Sequence, residues 1–118
     1  GFEDLWVCAA FELISLGRMQ DSRQMEMQVV DKKMSKEAFV EAGAKFEYES
    51  FQATSEYYEK VWRPWAASVG FEPVPGYWRV PLPAFADWRS RYTDRTGYPW
   101  KPFESIYDYL LQYGREKK

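Results

Sequence analysis

"MSKEAFVEAGAKFEYESFQATSEYYEKVW" occupies residues Met34–Trp62, and its reading decides the fold. Ser35 is a good N-cap, and Met34 can staple onto Phe39 across it. Glu41 with Lys45 and Glu56 with Lys60 stand in the favourable order for pairing along a helix. No proline interrupts the run, which predicts one long helix over about 35–62, roughly 40 Å at 1.5 Å per residue. Pro64 follows. It has no N–H to donate and disfavours a helical Arg63, so the helix should kink or end there, with "PWAASVG" adding a turn or two after a bend.

This helix carries two apolar stripes. Phe39, Gly43, Phe46, Ser50, Ala53 and Tyr57 form one, with small residues that let a neighbour come close. Val40, Ala44, Tyr48, Phe51, Ser55, Tyr58 and Trp62 form the other. Glu41, Lys45, Glu49, Gln52, Glu56 and Glu59 supply a solvated back. One stripe can bury against the first helix. The second either packs under the rest of the chain or meets a partner.

Upstream, "DLWVCAAFELISLG" reads as a helix in which Phe2, Trp6, Ala9, Leu13 and Leu16 recur at alternating spacings of four and three. Only Glu12 and Ser15 interrupt its apolar surface, which predicts burial on most faces, with Cys8 as a small core residue and Gly17 as a stop. Residues 18–33 are ambiguous. Asp21 and Gln24 fit a capping box, whereas Met25, Met27 and Val29 alternate as in a strand; helix is favoured.

Downstream, "FEPVPGYWRVPLP" predicts an extended, semi-rigid crossing over about 71–82. A helix from Pro83 to about Thr96 should follow, with Phe85, Trp88 and Tyr92 on one face, then a loop at Tyr98–Lys101. Pro102 should open a last helix closed by Gly114, with Phe103, Ile106, Tyr107, Leu110 and Tyr113 facing the core. The expected fold is therefore all-α: four or five helices in a single domain over 1–118. Because the chain begins at Gly1 without an initiator Met, it reads as a fragment or a processed chain, and a removed targeting segment stays open.

Composition narrows the function. Lys and Arg number 16 against 18 Asp and Glu, a net charge of −2, which disfavours a general nucleic-acid binder. Residues 1–62 hold 7 basic and 12 acidic groups, and residues 63–118 hold 9 and 6, a separation that can be satisfied within the chain. The chain has no histidine, which removes the commonest general base and metal ligand. The single Cys8 excludes an internal disulfide and a cysteine-based zinc cluster, and fits a reducing compartment, cytoplasm or organelle interior, although localisation stays open. No apolar run approaches a membrane span. The glutamates of the long helix fall mainly on its solvated back, with Glu47 between the two stripes, and Asp94, Thr96 and Gly97 lack the spacing of a calcium loop. No phosphate loop or nucleophile motif occurs, so neither catalysis nor a cofactor or metal is expected.

One feature invites a site. Trp62, Trp78, Trp88 and Trp100 are each followed by a cation. Adjacent residues point different ways on helices and strands, so each pair should split, with the ring anchoring the core and the charge in water. Trp and Arg are also enriched at protein interfaces. The expected function is a non-catalytic interaction protein, either an accessory or structural subunit of a larger complex or a small modulator that binds one. The candidate partner surface comprises Tyr48, Phe51, Tyr58 and Trp62 on the second stripe. It continues through Trp65, Trp78, Arg79, Trp88 and Trp100. The alternative is a module that stacks single-stranded nucleic acid or a glycan on an aromatic–Arg surface. A homo-oligomer stays open.

Overall fold

A computed structural model describes residues 1–91 and 97–116. Among them the fold is all-α, with no strand. The helices are α1 (Phe2–Gly17), α2 (Met19–Val30), α3 (Lys36–Tyr57), α4 (Arg63–Val69), α5 (Phe85–Ser90) and α6 (Trp100–Glu116). A π-helical turn, Tyr58–Trp62, joins α3 to α4, and a short 3-10 turn, Pro75–Trp78, lies within the proline-rich crossing. The ambiguous stretch at 18–33 is thus helical. The expected continuation of α5 through Tyr92 to Thr96 lies outside the described residues.

The chain divides into two compact units, Gly1–Gly17 with Tyr48–Pro83 and Arg18–Glu47 with Ala84–Lys118. Helix α3 begins in the second unit and ends in the first. Its start is capped as expected, with the Ala38 N–H donating to Ser35 Oγ at 3.2 Å.

At Pro64 the long helix is neither ended nor simply broken. The proline lacks the N–H that would reach Lys60 and its ring would clash with that carbonyl. A wide turn resolves this, and the Arg63 N–H donates to Tyr58 O, five residues back. Gly70, at φ 72°, then closes α4, with the Phe71 N–H donating to Ala66 O at 2.8 Å.

In the first unit, α1 and the crossing pack against the end of α3 and the π turn. Tyr58, Trp62 and Trp78 form the core, joined by Val7, Ala10, Tyr57, Phe71 and Val80. Burial pushes the Tyr58 phenol pKa up. Prolines leave the crossing few donors for a ladder of its own, and α3 side chains instead tie down its carbonyls. Tyr48 Oη donates to Pro83 O at 2.7 Å and Ser55 Oγ to Trp78 O at 2.8 Å.

In the second unit, α2 packs along α6. Phe39 is buried against Phe103 and Tyr107, and Arg89 donates to the Glu41 carboxylate through Nε at 2.9 Å. That hydrogen bond and the carboxylate's charge raise the Arg89 pKa above its ordinary value. Lys36 Nζ reaches Asp108 at 3.1 Å. Gly43 lies under the Phe103 ring, and a Cβ there would come within 2.5–2.7 Å of three ring atoms. Gly43→Ala should therefore cost about 1–3 kcal/mol in urea denaturation, despite alanine's better helix propensity. Unchanged or raised stability would show that the ring moves aside freely.

Several expectations need correction. Helix α6 starts at Trp100, so Trp100 and Lys101 are not loop residues. It also runs through Gly114, which is no stop: a Cβ there would meet Val30 O at 3.2 Å, a tight contact that glycine avoids where α2 and α6 come close. Ile106 and Tyr113 are exposed and only Phe103, Tyr107 and Leu110 turn partly inward. Helix α5 begins at Phe85, two residues after Pro83. The largest correction concerns α1, in which Glu3 is the one buried residue. Its neighbours in the first unit cover one side of the cylinder. The rest stays open, leaving Phe2, Leu5, Trp6, Leu13, Leu16 and Cys8 exposed.

Candidate functional site

The proposed aromatic–basic surface resolves residue by residue. Trp78 is 0 % exposed, and Tyr48, Tyr58, Trp62, Trp88 and Trp100 are also buried, each within its own unit. Phe51 is half-buried, stacked on Phe11 with ring centroids 5.0 Å apart. The Arg79 guanidinium lies 4.8 Å from the centre of the same Phe51 ring. Trp65 alone among the candidate tryptophans is exposed, at 42 %.

Each Trp–cation pair splits. Trp62 enters the core while Arg63 pairs with Glu59 at 3.0 Å, and Trp88 is buried while Arg89 turns to Glu41 and lies 5.6 Å from the Trp100 ring centre. Lys101 is exposed beside buried Trp100. The three rings of the first unit's core are therefore not a stacking platform for a ligand.

Beneath them lies a group that periodicity did not single out. The Glu3 carboxylate accepts from Trp62 Nε1 at 2.6 Å, Trp78 Nε1 at 3.2 Å and the Val74 N–H at 2.8 Å. An acid in the first turn is favoured by the helix dipole, and buried indoles require an acceptor. Those two needs are met by one residue, which locks α1, the π turn and the crossing together. The available signal was an acidic first turn in a chain rich in tryptophan.

Above this core the first unit opens into an apolar groove of about 330 Å³, lined by Phe2, Trp6, Tyr57, Val61, Trp62 and Trp65. A second recess of about 140 Å³ continues from it along α1, lined by Trp6, Ala10, Leu13, Ile14 and Tyr57. Trp62 floors the groove, with its ring 4.9 Å from Trp65 and 6.3 Å from Trp6. One wall is α1, whose four-three seam of Phe2, Trp6, Ala9, Leu13 and Leu16 faces solvent. The other carries Val61 and Trp65. The sequence reading identified the seam but assigned it to the core.

Among the described residues no group of three His, Cys, Asp or Glu is gathered to hold a metal ion, and no helix is long and apolar enough to cross a membrane. The chain matches no family model, no curated protein and no solved structure.

Proposed function

We propose that the protein is a non-catalytic interaction protein, an accessory or structural subunit of a larger assembly or a small modulator of one, and that it docks through the groove between α1 and α4. The observation that carries this reading is the continuous exposed apolar surface running from Phe2 and Trp6 to Trp65 and Leu13. Leu5 is 71 % and Leu13 66 % exposed on a helix with hardly a polar residue on that side. Exposed apolar residues gathered into a patch mark interaction sites, whereas scattered ones need no explanation. Tryptophans at the centre of such a patch are typical anchors of binding energy. The nucleic-acid or glycan alternative lacks a comparable feature, because Arg79 covers its own chain's Phe51 and Arg89 is held by Glu41.

The test is assembly in the source cells. The chain should elute from a native extract within a larger complex, and Leu13→Asp should release it as a free chain with its helical circular dichroism intact. Elution as a free monomer, or a Leu13→Asp variant that stays in the assembly, would overturn the reading. Tyr109, exposed on α6 of the second unit, provides the control substitution Tyr109→Asp.

A further inference from the structure

Helix α1 is fastened to the rest of its unit chiefly by a polar contact. We infer that α1 is a movable lid: it opens from the first unit's core as one segment, and the Glu3 carboxylate is the latch that sets how often. The inference stands whether or not the groove docks a partner.

The apolar weight of α1 lies on the wrong side to hold it down. Its inward stripe is Glu3, Val7, Ala10, Phe11 and Ile14, and of these only Glu3 is buried. Leu5, Leu13 and Leu16 each keep more than half of their surface in water, so closure gains little from them. Phe2 and Trp6 reach the Trp62 ring, with centroids 6.1 and 6.3 Å away, yet both stay exposed. Further along, Phe11 stacks on Phe51, while Val7 and Ala10 touch the core without being enclosed by it. Ser15 adds a cost, because its hydroxyl is shut away from water with no hydrogen-bond partner among the described residues. A segment with few buried apolar contacts opens ahead of the global transition.

The latch is polar and joins three places at once. Glu3 accepts from Trp62 Nε1 in the π turn, Trp78 Nε1 in the 3-10 turn and the Val74 N–H just before it. All three partners are neutral donors, and water replaces them as soon as α1 lifts. The bonds share one carboxylate and so break together, which gives the contact a closed state and an open one. Beyond Gly17 the chain is secured again, since Arg18 donates to Phe46 O at 2.9 Å and lies 4.2 Å from that ring's centre. The segment that lifts thus runs from Phe2 to Gly17. Its departure wets the Trp62 and Trp78 indoles and removes one wall of the groove. Glu3 therefore sets the fraction of chains in which the groove is complete.

The test is native-state hydrogen exchange of the 118-residue chain, read by nuclear magnetic resonance. Amides from Val7 to Ile14 should be at least about tenfold less protected than those of residues 48–57 in the same unit. The Trp62 and Trp78 indole N–H groups should share the protection of α1, because one opening wets them both. Glu3→Gln keeps one acceptor, and should lower the protection of α1 and both indoles by about tenfold more. Residues 48–57 and α6 should not change. Tyr48→Phe removes a hydrogen bond of the crossing that α1 does not share, and should leave α1 as it was. Equal protection of α1 and residues 48–57 in the wild-type chain would overturn the lid without need of a variant. Indoles that stay protected while α1 exchanges would reduce the motion to fraying, and overturn it too. A Glu3→Gln variant that loosens α1 and residues 48–57 alike, or neither, would show that Glu3 is no latch.

Discussion

Trp78→Ala should destabilise the protein by about 3–5 kcal/mol, the usual cost of emptying a fully buried aromatic site. Trp78 is completely buried and packs on three rings, with centroids 5.7 Å from Tyr57, 6.0 Å from Tyr58 and 5.2 Å from Trp62. It is also the bulkiest side chain by which the crossing reaches the long helix, and the smaller Phe71 and Val80 beside it do not fill the volume it leaves. Domains hold only about 5–15 kcal/mol in total, and the variant should approach the folding threshold. Urea titration followed by near-ultraviolet circular dichroism reads the effect. Trp78→Phe separates packing from hydrogen bonding, because it keeps most of the ring but removes the donor to Glu3, and about 1–2 kcal/mol is expected. A loss below about 1 kcal/mol for Trp78→Ala would contradict the place given to this residue in the core.

Glu3→Ala should cost a comparable amount, about 3–5 kcal/mol, for a different reason. Nothing large is removed, but three donors lose their acceptor at once: Trp62 Nε1, Trp78 Nε1 and the Val74 N–H. An unsatisfied buried donor costs about 1–3 kcal/mol, so the two buried indoles carry most of the effect and the part-buried Val74 N–H adds less. Glu3→Gln should fall between wild type and Glu3→Ala, because one amide oxygen survives and the other position becomes a donor facing donors. Combining Glu3→Gln with Trp78→Phe should cost less than the sum of the two, since both remove the same bond. Strict additivity would show that the carboxylate and Trp78 do not act as a unit.

Much of the architecture was legible because it rests on local rules. Ser35 opens α3, Gly70 follows α4, and proline at 64 disturbs the helix, each through backbone chemistry that needs no knowledge of the fold. What escaped depends on which surfaces meet. Gly114 looks like a helix stop by itself, and only the nearness of Val30 shows that its missing Cβ makes room for α2. The π turn satisfies the same constraint at Pro64 as a kink would, and the sequence does not distinguish the two. The apolar periodicity of α1 shows a face that avoids water but not whether this chain supplies the cover. That ambiguity decided the site: Trp78, offered as an interface residue, lies within the first unit's core, and Trp62 belongs to that core while also flooring the groove, whereas Trp6 and Leu13, assigned to the core, stand exposed.

The same division gives the most direct measurement of the account. Trp6 and Trp65 are 45 % and 42 % exposed, whereas Trp62, Trp78, Trp88 and Trp100 are buried. Acrylamide should quench two of the six tryptophans in the isolated chain, and Trp6→Phe with Trp65→Phe should remove the quenchable fraction. Full protection of all six would mean that the groove is closed in solution and offers a partner nothing. Quenching that persists in the double variant would place water against the core itself.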